Sequence, residues 1–130
     1  MTVSEFVKEQ MSALGINYEY EKWTKEEKPK LYFIGEELTE SETKDCVKTS
    51  ILRIVSHNSG GFKDFFGTVN KIKNRFDPRN NVKINTENGR IWLALDSCRI
   101  LPSDKSGGRT RAVLNLVIRE QINEGETSDE

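Results

Sequence analysis

Apolar residues recur at three- and four-residue intervals across residues 60–76, GGFKDFFGTVNKIKNRF. Phe62, Phe65, Phe66, Val69, Ile72 and Phe76 fall on one side of a helix, and Lys63, Asn70, Lys71, Lys73 and Asn74 on the other. A stripe carrying four phenylalanines needs a broad apolar surface to lie on. The runs long enough to supply one are the strand-like segments on either side, 46–56 and 90–122, so the pattern predicts a sheet with this helix packed across it. A shorter stripe, Val3, Phe6, Val7, Met11 and Leu14, begins after the capping-box pattern Thr2-Val-Ser-Glu5 and ends at Gly15.

The remaining elements are strands. Residues 17–23 alternate Tyr18 and Tyr20 against Glu19 and Glu21, and Leu31, Tyr32, Phe33 and Ile34 form a more apolar run closed by Gly35. These two are expected to pair as a hairpin across the charged turn 24–29. Residues 36–44, EELTESETK, carry no periodic apolar signal and read as an exposed loop. The run 46–56 sets Val47, Ile51 and Val55 against Leu52 and Ile54, as in a central strand covered on both faces. Asp77-Pro78 stops the main helix, 82–85 is a short strand, and Asn88-Gly89 favours a tight hairpin into 90–101. Residues 90–101 and Arg111–Ile122 are the longest strands, joined by a glycine-containing loop short enough to make them antiparallel. The order α-β-β-β-α-β-β-β predicts an α+β fold: a mixed, mainly antiparallel sheet with two amphipathic helices packed on it.

A length of 130 residues fits one domain, expected over 1–122, with a flexible acidic tail at 123–130. Hydrophobic residues make up 35% and charged residues 32%, a composition that folds without staples because the apolar residues are gathered into periodic runs. The net charge of −1 gives no global attraction to nucleic acid or membrane, so any electrostatic role must come from local segregation. Cys46 and Cys98 sit in apolar strand-like runs without CxxC spacing, as reduced core thiols do. The start MTVSEFVKEQ lacks signal-peptide character and no apolar stretch approaches membrane-spanning length, so the chain is expected to stay in the compartment where it is made.

Catalytic chemistry is sparse. His57, Asp96 and Cys98 are the residues from which a nucleophilic site could be assembled, with Asp96 and Cys98 two apart on one strand and so expected to face the same side. One histidine and two separated cysteines cannot supply a clustered metal site. The glycines at 60–61 and 107–108 lack the spacing of a P-loop or a dinucleotide fingerprint. No catalytic, metal or cofactor residue is therefore assigned. Charge is more informative. Lys71, Lys73, Arg75, Arg79 and Lys83 gather at the end of the main helix, whereas Glu36, Glu37, Glu40, Glu42 and Asp45 gather on another segment. Opposite charges on separate surfaces suit a head-to-tail contact between subunits, which closes into a ring.

In the opening helix ending at Leu14-Gly15, the aromatic strand 18–23, the strand 29–34, the strand and helix 47–76 and the long strands IWLALDSCRIL and RAVLNLVIREQI, the chain resembles the tail-terminator, or tail-completion, proteins of long-tailed bacteriophages and prophages. The resemblance is one of length, pattern and element order across nearly the whole chain. It implies a non-enzymatic, cofactor-free homo-oligomer, a hexameric ring on the end of the tail tube that stops tube growth and contacts the head connector. The setting implied is the bacterial host cytoplasm during assembly and the virion tail thereafter. The family has no site residues to transfer by position. The charge pattern nominates Glu36, Glu37, Glu40 and Glu42 for one side of a subunit contact and Lys71, Lys73, Arg75 and Arg79 for the other, with Asp104 and Lys105 in a loop that orders on assembly. The alternative is a small nucleic-acid-binding module using the basic segment 71–83; a small hydrolase or transferase with a site near His57 is the remaining rival.

Overall fold

The computed structural model describes residues 2–27, 31–40, 47–58, 65–86, 89–101 and 111–122, with the side chains of all of these except 37–40, 58, 86 and 122. The N-terminal capping box forms as its residue types require. The Thr2 hydroxyl accepts from the Glu5 backbone N–H at 3.1 Å and the Thr2 backbone N–H donates to the Glu5 carboxylate at 2.7 Å, which holds that carboxyl below its usual range. Helix α1 (Val3–Ala13) follows, and Gly15 ends the segment at a φ of 76°. Val7 and Met11 are fully buried beneath it.

Helix α2 (Phe65–Arg75) buries Phe65, Val69 and Ile72, with Phe76 just beyond its end. The Leu95 N–H donates to the Phe76 carbonyl at 2.7 Å, which ties the end of the helix to the sheet. Proline at 78 then redirects the chain through a single 3-10 turn (Pro78–Asn80), closed by Asn81 in the left-handed region at φ 52°.

The strands are β1 (Tyr18–Tyr20), β2 (Leu31–Glu40), β3 (Val47–Asn58), β4 (Val82–Thr86), β5 (Gly89–Leu101) and β6 (Arg111–Ile122). They form one sheet in the order β1-β2-β3-β6-β5-β4, antiparallel at every step except β1–β2. The fold is the expected α+β arrangement, with the elements in the expected order. Both helices share a single core with Phe33, Leu52, Ile54, Leu114, Leu116, Ile118, Ile91 and Leu93, so they lie on the same face of the sheet. The two central strands, β3 and β6, pair from Val47↔Gln121 to Val55↔Val113.

Several expectations are corrected. β1 and β2 do not form a hairpin: Tyr18 pairs with Phe33 and Tyr20 with Gly35 in parallel, and β1 keeps only three residues of the alternating run. Glu21 turns the chain at a φ of 73° and donates its N–H to the Gly35 carbonyl at 2.8 Å, so the run leaves the sheet there. Residues 36–40 are not loop. β2 continues through them, pairing Glu36 with Arg53 and Glu40 with Ser50 around a bulge between Glu37 and Thr39. Backbone pairing to an apolar neighbour overrides their lack of apolar alternation. Phe66 is exposed rather than core-facing. Asp96 and Cys98 do not share a face in the expected way either, because a register shift between Leu95 and Ser97 leaves Asp96 exposed while Cys98 packs partly against the core. The predicted helix start at 60–64, Cys46, the loop 102–108 and the tail 123–130 lie outside the described residues.

Candidate interaction surfaces

The two charged segments nominated from sequence sit in different parts of the domain. Glu36 is exposed on the sheet face away from the helices, in register with Arg53. Glu37 and Glu40 are placed on β2, opposite Leu52 and Ser50. Their side chains, and all of Glu42, Asp104 and Lys105, lie outside the described residues. On the basic side, Lys71 and Lys73 are exposed on α2. The other two nominees serve the fold. Arg75 is half-buried and donates from Nε to the Gln10 amide oxygen at 2.6 Å, joining α2 to α1. Arg79 grips Asp77 with two parallel bonds of 3.0 and 2.9 Å, and its backbone N–H adds a third at 2.9 Å. That fork draws the Asp77 carboxyl down to about 2 and raises the Arg79 guanidinium further. The segment 71–83 is not one patch: Lys71 and Lys73 lie on the helical layer, whereas Lys83 lies on β4 between the core residues Val82 and Ile84 and faces the opposite way. From β2 to β5, where α2 ends, is three strand steps, about 14 Å.

The sheet face without helices carries a charge distribution that the segment-by-segment reading missed. Along β4, β5 and β6 the residues out of phase with the core include Lys83, Arg90, Trp92, Arg99, Arg111 and Arg119, with the uncharged Asn85, Ala94, Ser97, Leu101, Val113, Asn115, Val117 and Gln121 among them. Lys83, Trp92 and Arg119 are direct neighbours across the three strands, and Arg90 precedes Trp92 by two positions on the same side. Lys83, Arg90 and Arg119 are exposed, as are Arg99 and Arg111 at the far end, and Trp92 is half-buried. Of the acids of these strands, Glu120 is opposite Ile91 on the helix-packed side and Asp96 is exposed at the bulge. Next to this region on β3 lies Arg53, whose Nε is enclosed without an acceptor. Farther over, Tyr32 stacks on His57 at 5.1 Å and meets Trp23 at 4.7 Å. The signal was available in the sequence as the alternate positions of 90–101 and 111–122, but single cations on separate strands form no run.

The candidate catalytic grouping is not assembled. His57 is on the helix-free face of β3, Cys98 packs on the core side of β5, and β6 lies between them. Burial pushes the Cys98 thiol up, with Lys73 opposing, so it is not an activated thiolate. Buried Glu19 is held by Lys8 at 3.4 Å and Lys25 at 3.7 Å. An open depression on α1 is lined by Glu5, Lys8, Glu9 and Ser12, without convergent chemistry. Among the described residues no group of metal-binding side chains is assembled and no helix is long and apolar enough to cross a membrane. Among the described residues the fold is a two-helix, six-stranded α+β domain with one helix-free sheet face. Comparison of the chain with known protein families, with curated proteins and with solved structures finds no match.

Proposed function

We propose that this chain is a structural protein of a bacteriophage or prophage tail, assembling as a hexameric ring on the end of the tail tube, where it ends tube growth and joins the tail to the head connector. The reading rests on the resemblance in element order, and the observation that carries it is the separation of charge. The acidic strand β2 presents Glu36 on one side of the domain while Lys71 and Lys73 project from the helical layer. A patch that meets a different patch on the next copy generates a closed ring when the rotation permits. In this reading the protein acts by shape, without catalysis or a cofactor, first in the host cytoplasm and then in the virion. Tail-tube and connector proteins are its partners.

Light scattering and negative-stain microscopy on the purified chain over rising concentration test the proposal. Closed rings of six are expected. Glu36→Lys with Glu37→Lys is expected to abolish them, and adding Lys71→Glu with Lys73→Glu to the same chain to restore them. A monomer at every concentration, even with purified tail-tube protein added, rules the reading out, as do rings that tolerate the acidic reversal.

A further inference from the structure

The helix-free face of β4, β5 and β6 has a character that ring assembly does not use. On three adjacent strands it sets Lys83, Arg90 and Arg119, all exposed, around the half-buried ring of Trp92, with exposed Arg99 and Arg111 at the far end of the same face. Of the acids on these strands, Glu120 is paired with Ile91 on the helix-packed side, and Asp96 stands apart at the bulge, four positions beyond Trp92. This concentration of like charge occurs in a chain whose net charge is −1, so it is a local feature of this surface. Lys83 and Arg90, and likewise Arg90 and Arg119, are diagonal neighbours across adjacent strands, within reach for long side chains of like charge to repel. A polyanion lying across the face would remove that repulsion.

From Arg119 to Arg111 is eight positions along β6, about 27 Å, with the cations at the two ends and Val113, Asn115 and Val117 between them. At one end Trp92 has a cation on each flanking strand and a third two positions before it on its own. An aromatic ring framed by cations on an open sheet fits a base stacked on the ring with its neighbouring phosphates on the arginines. A duplex keeps its bases inside the stack and can use only the charges. We infer that this face is a binding site for single-stranded nucleic acid, with Trp92 as the stacking platform and Lys83, Arg90 and Arg119 as the phosphate contacts. Lys71 and Lys73, on the other side of the sheet, take no part. The site is independent of the ring contact proposed above.

Fluorescence anisotropy with a labelled twelve-nucleotide oligothymidine, its duplex with oligoadenine, and polyglutamate as competitor, at 50 and 200 mM salt, tests the inference on the full chain. The single strand is expected to bind at least tenfold more tightly than the duplex, with affinity falling steeply with salt. Trp92→Ala is expected to weaken single-strand binding between five- and a hundredfold while leaving duplex binding unchanged. Because Trp92 is half-buried, Lys83→Glu with Arg119→Glu provides a second variant at exposed positions, expected to lose binding and flatten the salt dependence with an unchanged circular dichroism spectrum. Lys71→Glu with Lys73→Glu is expected to bind as the parent does and serves as the control even if rings form. Absence of binding at 50 mM salt overturns the inference. Displacement by polyglutamate at equal charge, which would mark an acidic protein surface as the occupant, overturns it equally, as does binding that survives the Lys83/Arg119 reversal.

Discussion

Phe76→Ala should cost about 3–5 kcal/mol, a large share of the total of about 5–15 kcal/mol that holds a domain of this kind together. Phe76 is fully buried, sits at the junction of α2 with β5, and is the residue whose carbonyl accepts from Leu95. Truncating it opens a cavity at the point where the helix is tied to the sheet. Phe66→Ala on the same stretch should cost no more than about 1 kcal/mol, since that ring is 48% exposed and its described contact is an edge-on meeting with Phe65 at 5.1 Å. The two differ because Phe66 lies one residue, about 100°, around the helix from Phe65, whereas positions 65, 69, 72 and 76 stay within a narrow sector. Urea unfolding at neutral pH measures both, the midpoint moving while the slope stays fixed. Equal losses at the two positions would mean that α2 is seated on a different face.

The second large effect concerns Tyr18 and Gly35. The Tyr18 ring lies over Gly35 so closely that an added Cβ would meet the ring carbon Cζ at 2.8 Å, and the phenolic oxygen more closely still. Gly35→Ala should therefore destabilise by about 1–3 kcal/mol, because a buried ring 4% exposed has little room to retreat. Among the described residues the hydroxyl has no partner, and an unsatisfied buried donor is costly, so Tyr18→Phe should add about 1 kcal/mol at pH 7. Its pH dependence has a definite sign. Burial raises the Tyr18 pKa well above the ordinary value of 10, so above pH 10 the unfolded chain releases this proton while the folded chain keeps it. The unfolded state then binds fewer protons, and stability falls as pH rises from about 10. Tyr18→Phe should lose less stability than the parent between pH 9 and 11. A phenylalanine variant weaker than the parent at pH 7 would show that the hydroxyl has a partner after all.

Much of this architecture was legible in the chain because burial and period agree. The Thr2–Glu5 box, the Phe65–Val69–Ile72–Phe76 stripe and the alternation in Arg111–Ile122 each name an element and the face it buries. The misreadings have one origin, which is that backbone pairing leaves little trace in side-chain type. Residues 36–40 are polar and still extend β2, because β3 supplies the partner; the direction of β1 depends on where residues 21–30 carry the chain, which the alternation of Tyr18 and Tyr20 does not encode. The bulge at Asp96 broke a count of two that any regular strand would obey. Charge was legible only where it was contiguous. Arg75 and Arg79 looked like surface cations and are tethers to Gln10 and Asp77, while Arg90, Arg99, Arg111 and Arg119 come together only when strands distant in sequence are laid side by side.

The three-residue ladder between β1 and β2 is the shortest seam in the sheet. Beyond the ladder, residues 2–20 are attached through Val7, Met11, Ile16 and Tyr18 in the core with Val3, Phe6, Leu14 and Tyr20 packed against it, the Arg75–Gln10 bond, the Phe33 N–H donating to the Asn17 carbonyl at 2.9 Å, and the Asn17 amide donating to the Leu31 carbonyl at 3.2 Å. Local opening costs least where the ladder is shortest, so this N-terminal unit is the part of the domain that detaches before the whole unravels. Its departure would bare β2 from Phe33 to Gly35, an edge ready to accept the corresponding segment of a neighbouring copy. α1 and β1 together thus serve as a stopper, holding the sixth place in the sheet against a neighbouring copy.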